Sequence, residues 1–139
     1  MGRAPSFLAP LAGQPEGWRL RNTRGGIVLA ERVELAADSA SRKRGLLGRD
    51  HLDEGHALVI VPCAAVHTYF MRFAIDVLFV RRDGRVVKCA HGVRPWRIAL
   101  ALTAHAVIEM PAGALRRSGT SRGDRLVFEP IPPASSGGA

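Results

Sequence analysis

Long apolar runs are missing from this chain. No stretch approaches the roughly 20 residues that span a bilayer. The longest candidates, Ala57–Val66 and Ile98–Ile108, are each broken by His, Thr or Pro. The leading segment MGRAPSFLAPLAGQPEGWRL has no basic stretch running into a continuous apolar one, so it does not read as a secretory signal and a cytoplasmic location is expected. Cysteine is scarce too. Cys63 and Cys89 are the only two, too few for a disulfide framework. In a reducing compartment they are expected to be free thiols buried as small hydrophobes. Lysine is nearly absent: Lys43 and Lys88 are the only two among 20 basic residues. The formal charge of +8 points toward acidic partners such as nucleic acid or anionic lipid. An arginine excess beside abundant Ala, Gly and Pro is also what codon bias in a GC-rich genome produces. The familiar enzyme signatures G-x-S-x-G, G-x-x-x-x-G-K, G-x-G-x-x-G and H-E-x-x-H are all absent.

What is present suits a single folded domain. The length is 139 residues and 47% of them are hydrophobic, enough for a substantial core. Residues 1–25 are rich in Gly, Pro and Arg and read as an arm with little structure, with Trp18 docked on the body. Residues 131–139, IPPASSGGA, read as a disordered tail. The domain is expected over residues 26–130. Ile27–Leu35 reads as one strand or a bent pair. Asp38 or Ser39 can cap a short helix reaching Gly48 or Arg49, weakened by Gly45. Ala57–Val61 is an apolar strand stopped by Pro62. Thr68–Arg81 is the longest strand signal. Asp83-Gly84 then turns the chain into Arg85–Ala90. Val107–Met110 is a further strand, Ala112–Ser118 a helical turn, and Arg125–Glu129 the closing strand. Short strands with turn signals between them predict an all-β, mostly antiparallel sandwich or barrel with one or two short helices.

Six signals in order carry a resemblance. They are RKRGLLGRDHL at Arg42–Leu52, Glu54-Gly55 with the strand ALVIVP, VHTYFMRFAIDVLFVRRDGRVV at Val66–Val87, VRPWR at Val93–Arg97, AVIEMPAG at Ala106–Gly113, and GDRLVFEP at Gly123–Pro130. In this order the chain resembles the family called domain of unknown function 192, in the branch with an HT–MRFPID type of centre. The match covers about two thirds of the chain. The resemblance implies a compact all-β domain with one or two short helices, and it implies no particular activity. Ala74 stands where similar sequences usually have Pro, so a straighter strand is expected here.

Within Val66–Val87, alternation places Met71, Phe73, Ile75, Val77 and Phe79 on a core face and Arg72, Ala74 and Asp76 on the other. An acid in so apolar a strand needs a partner. Arg72 is roughly 13 Å away along an extended strand. Asp76 is therefore expected to take backbone N–H groups, or an arginine from RGLLGR or Arg94–Arg97. Its alternatives are a buried structural pair and a ligand-facing acid. Arg44 and Arg49, in the RGLLGR turn, offer planar donors for carboxylate or phosphate, or else clamp a structural acid. His67 with Asp76 or Glu109 can form a general-base pair. Cys63 with His67 and Cys89 with His91 can be read as zinc ligands, although C-x-H is not a usual knuckle spacing. Trp96, between Arg94 and Arg97, either stacks on a base or covers one end of the barrel. Glu109 reads as a clamp on the adjacent Gly-rich turn.

The resulting expectation is a non-enzymatic module that binds a small polar or anionic ligand or a partner protein through Arg44, Arg49, His67, Thr68, Arg72 and Asp76. No catalytic residue, metal or cofactor is assigned. The alternatives are a nucleic-acid-associated protein using Arg19–Arg24 and the Arg94–Arg97 loop, and a cryptic hydrolase-type enzyme.

Overall fold

A computed structural model of the protein describes residues 6–133. In chain order the elements are α1 (Ala9–Gly13), β1 (Trp18–Asn22), β2 (Val28–Ala30), β3 (Arg32–Ala36), α2 (Ser39–Arg44), β4 (His56–Ile60), β5 (Ala65–His67), β6 (Ile75–Val80), β7 (Val86–Val93), β8 (Ile98–Leu100), β9 (Ala106–Pro111), α3 (Ala114–Ser118) and β10 (Leu126–Pro130). They form a five-stranded sheet of order β3-β4-β9-β6-β7, a three-stranded sheet β10-β1-β2, and a two-stranded ribbon β5-β8. The fold is therefore mostly β with short helices. The large sheet is mixed, because β3 and β4 run parallel while its other pairs are antiparallel. A parallel pair needs a crossover, and residues 37–55, including α2, supply it.

The central strands β4, β6 and β9 are apolar at nearly every position because both faces of their sheet are covered. On one face Val59, Leu78, Val80, Ile108 and Met110 pack against Leu20, Leu29 and Phe128 of the three-stranded sheet and against Leu11 and Leu115. On the other face Leu58, Ile60, Ile75, Val77, Phe79 and Val107 pack under Leu46, Leu52, Met71 and Ala99. The expected core set of Met71, Ile75, Val77 and Phe79 is buried together, with Phe73 packed at its edge.

Three local expectations change. Residues 18–22 are no loose arm: β1 is the middle strand of its sheet, and Leu20 is fully buried. Residues 1–5 and 134–139, the outer parts of the arm and tail, lie outside the described residues. The long strand expected from Thr68 shrinks to Ile75–Val80, because residues 68–74 turn and bend even with Ala74 in place of Pro. The helix capped by Asp38, whose carboxylate accepts the Ser41 N–H at 2.8 Å, ends at Arg44 rather than at Gly48 or Arg49. Gly45 stops it with φ +47, a conformation side chains rarely adopt.

Candidate functional site

Asp76 lies on β6 with its side chain on the face shared with Leu78 and Val80, and it is 1% exposed. The β6–β7 register slips beside it: Ile75 pairs with Val93 and Val77 with Ala90, leaving His91 and Gly92 as a bulge. One Asp76 carboxylate oxygen accepts the Gly92 N–H of that bulge at 2.8 Å. The other accepts the N–H groups of Gly113 and Leu115 at 3.0 and 2.9 Å, satisfying otherwise orphaned donors at the start of α3. Among the described residues no arginine holds Asp76; backbone donors do. Asp76 is thus a clamp, and it faces away from Arg44 and His67.

On the opposite face a cleft of about 260 Å³ opens between α2, the RGLLGR turn and the start of the ribbon. Arg42, Lys43, Arg44 and His67 line it together with Leu46, Ile60, Val66 and Met71. Cys63 and Glu109 are also among the lining residues. Glu109 is paired in register with Leu58 and Val77 in the middle of the sheet and is 4% exposed. It makes no hydrogen bond or ion pair within 4 Å among the described residues. Burial pushes its carboxyl up to about 7, against a smaller downward pull from the Arg49 charge. Gly45 allows the end of α2 to approach this acid: a Cβ there would stand 3.7 Å from a Glu109 carboxyl oxygen. The clamp expected of Glu109 is therefore absent, Asp76 takes backbone N–H groups as one of its expected readings has it, and the ligand-facing acid weighed as the alternative for Asp76 is found instead at Glu109.

The six residues expected to form one site are dispersed. Arg44 and His67 meet in the cleft. Arg49 stands beside it, bonded to Glu34 at 2.9 Å. Arg72 points to solvent and pairs with Asp50 at 2.7 Å. Thr68 is buried and serves the VRPWR loop: its hydroxyl accepts the Arg97 N–H at 2.9 Å and donates to the Arg94 carbonyl at 2.6 Å. Its carbonyl accepts the Trp96 N–H at 3.0 Å. These bonds hold Trp96 at φ +67 beside Phe70 at φ +64, each a left-handed conformation costing about 1–2 kcal/mol for a bulky residue. Trp96 is not a plug over a barrel end. It is exposed and makes tilted ring contacts with Phe70 and Tyr69.

The remaining candidates fall apart in space. Cys63 packs with the cleft-side core and Cys89 with the other, so the two thiol–histidine pairs weighed as zinc ligands lie apart. Among the described residues no three His, Cys, Asp or Glu side chains come together as metal ligands do. The Cys63 thiol is pushed up chiefly by burial, and Cys89 is pushed up to about 11 by the same cause. The arginines of the Arg19–Arg24 segment are already engaged. Arg19 and Arg21 grip Glu129 at 2.6 and 2.8 Å, and Arg24 grips Asp124 at 2.8 Å. Sequence reasoning passed over Arg42 and Lys43 and misassigned Glu109. The signal for Glu109 was there: AVIEMP, like AIDVLFV, sets one acid in an apolar strand.

Known proteins resemble this chain in sequence or in fold. A UPF0127 protein of Thermococcus sibiricus is 32% identical over 117 residues, covering 79% of this chain and 74% of that protein. A UPF0127 protein of Pyrococcus abyssi is 34% identical over 102 residues, 68% of this chain and 84% of its own. A crystal structure of a Sinorhizobium meliloti protein, provisionally called a transcription regulator, superposes with a TM-score of 0.73 at 24% identity, covering 91% of this chain and 98% of that one. At that identity it shows the fold alone. A protein of unknown function from Novosphingobium aromaticivorans gives a TM-score of 0.68 at 28% identity, covering 78% and 81% of the two chains. The family model described as Uncharacterized ACR, DUF192, matches residues 20–128, from the middle of β1 to β10, and the chain therefore belongs to the DUF192 family.

Proposed function

We propose that this protein is a small-ligand-binding domain whose site is the Glu109 cleft. The carrying observation is Glu109 itself, an acid buried in the sheet and open only toward the cleft. Burying a carboxyl without a partner is costly, and nothing in the strand pairing requires an acid there. A bound hydrogen-bond donor would supply the missing partner. Arg42, Lys43, Arg44 and His67 at the mouth favour an anionic group on the same ligand. The apolar walls suit a short carbon body between the two. The ligand class is thus a small organic anion that also donates a hydrogen bond.

Binding is favoured over catalysis. A thiol raised by burial is a poor nucleophile, and Cys63 is the one thiol in the cleft. The compartment that suits two free thiols is the cytoplasm. No helix among the described residues is long and apolar enough to cross a membrane.

The test is a thermal-shift screen of small carboxylates, phosphates and amino acids. A ligand at 100 times its dissociation constant should add about 2.7 kcal/mol to stability. The effect should fall away in Arg44→Ala and in Glu109→Leu. A ligand that stabilises both variants as well as the parent, or a panel in which nothing stabilises the parent, rejects the reading.

A further inference from the structure

Five of the six large hydrophobic side chains that stand exposed among the described residues belong to one protrusion: Phe70, Trp96, Ile98, Leu100 and Leu102. The ribbon register explains the clustering. Val66 and Ala99 pair facing the core, which turns Ile98 and Leu100 outward with their partners His67 and Ala65. Trp96 precedes this face by two residues and Leu102 follows it by two, in the turn closed by the Ala104 N–H on the Ala101 carbonyl. Phe70 extends the apolar surface through its 4.6 Å ring contact with Trp96. Leu102 is 86% exposed at the tip. The chain holds two bulky aromatics, Phe70 and Trp96, at positive φ with their rings in water, although Thr68 is buried beneath them. Backbone strain kept for an exposed apolar pair points to a role for the surface itself.

The two chain segments that build this surface carry charge of one sign. Neither 63–75 nor 86–105 contains an Asp or Glu. Arg94 and Arg97 flank Trp96, and neither has an acidic partner among the described residues. The Lys88 ammonium lies on the Leu100 carbonyl at 2.9 Å. Arg81, Lys88 and Arg122 border the shallow groove beside Leu100 and Ala101, and no acid lines it.

We infer that this protrusion docks on an anionic lipid surface, with Leu102, Leu100, Ile98, Trp96 and Phe70 entering the interfacial layer and Arg94, Arg97 and Lys88 facing the headgroups. Aliphatic side chains at a tip, aromatics behind them and unneutralised cations around both are what an interface of apolar chains beneath negative headgroups takes up. A single-stranded nucleic acid would match the cations and stack on Trp96 and Phe70. It would leave Ile98, Leu100 and Leu102 in water, so the observations favour lipid.

The test uses the full chain and co-sedimentation with phosphatidylcholine vesicles, with and without phosphatidylglycerol. Binding should require phosphatidylglycerol and weaken as salt rises. In a Trp18→Phe background the emission of Trp96 should shift to the blue on binding. Leu102→Asp should weaken binding more than tenfold while leaving the melting midpoint unchanged, since that side chain is 86% exposed. Arg94→Ser and Arg97→Ser should each cost about fivefold. Three results would overturn the inference. One is no partition into phosphatidylglycerol vesicles. Another is binding indifferent to Leu102→Asp, above all if an oligonucleotide binds more tightly and needs Trp96. The third is a concentration-dependent dimer that Leu102→Asp dissociates, which would assign the surface to a second copy of the chain.

Discussion

Asp76 on β6 and Glu109 on β9 are each the sole acid of an apolar strand, and they face opposite sides of one sheet. Asp76 looks toward the β7 bulge and the start of α3, where three N–H groups converge on it. Glu109 looks toward α2, whose last residues bring arginine and lysine to the mouth of the cleft but no donor to the carboxyl. Burial is nearly equal for the two, so burial alone does not assign a role. The supply of donors does. An acid met by backbone N–H groups is part of the framework, whereas an acid met by open space is left with unused capacity.

The largest effect that can break this comparison is expected for Asp76→Ala. Three N–H groups would lose their acceptor, at a cost of about 3–5 kcal/mol. At roughly 4 °C per kcal/mol for a chain of this size, the melting midpoint should fall by more than about 10 °C. Asp76→Asn keeps one accepting oxygen but aims an NH₂ at an N–H, so its melt should fall between parent and Ala. A loss of only a few degrees for Asp76→Ala would mean that the clamp carries little of the fold.

Glu109 should behave in the opposite sense, through pH. Its folded-state pKa of about 7 stands above its ordinary value of 4.5. Below pH 4.5 the carboxyl is protonated in both folded and unfolded chains and contributes nothing to the slope. Between pH 4.5 and 7 the unfolded chain releases this proton while the folded chain retains it, so stability falls as pH rises and levels off above 7. The difference is worth about 3 kcal/mol. Glu109→Gln removes the titration, so its stability relative to the parent should grow across this window. Parallel pH–melting curves for the two proteins would rule out a partnerless buried acid. Arg49→Gln should move the parent's fall upward by less than about one pH unit, because Arg49 pulls the Glu109 pKa down.

The smallest effect belongs to an acid that is neither clamped nor buried. Asp50 meets Arg72 at the surface, with side chains 80% and 58% exposed. Exposed pairs contribute at most about 1 kcal/mol. Asp50→Ala should therefore shift the melt by under about 4 °C. A larger shift would show that exposure is a poor guide to role in this protein.

Much of the fold was legible. The runs ALVIV, AIDVLFV and AVIEMP read as strands because each is short, β-branched and bounded by turn residues, and each is a central strand of the large sheet. Asp38 read as a helix cap because its short side chain can reach the Ser41 N–H. The bent pair at residues 27–35 is broken at Glu31. The segment around Trp18 misled because Gly, Pro and Arg dominate its composition, while only alternate residues such as Leu20 and Asn22 face inward. Its structure comes from pairing with β10, more than 100 residues away, which no local pattern reports. The site was less legible. Sequence spacing grouped Arg72 and Asp76 with His67, but the turn at residues 68–74 and the two faces of the sheet separate them.

By itself the sequence determined which strands would be buried, since runs apolar on both faces can only be satisfied inside a covered sheet. It also determined that each of two such runs would carry one acid, and that none of its apolar runs is long enough for a lipid-spanning helix. Only the tertiary structure decided which acid would be satisfied. That depended on where β7 bulges and where α3 begins, because the donors for Asp76 come from backbone 16 to 39 residues away in the chain. It depended equally on α2 ending at Gly45 close to Glu109 without offering its carboxyl a hydrogen bond. Hydrogen-bond supply is a property of folded backbone, and residue identity alone does not encode it.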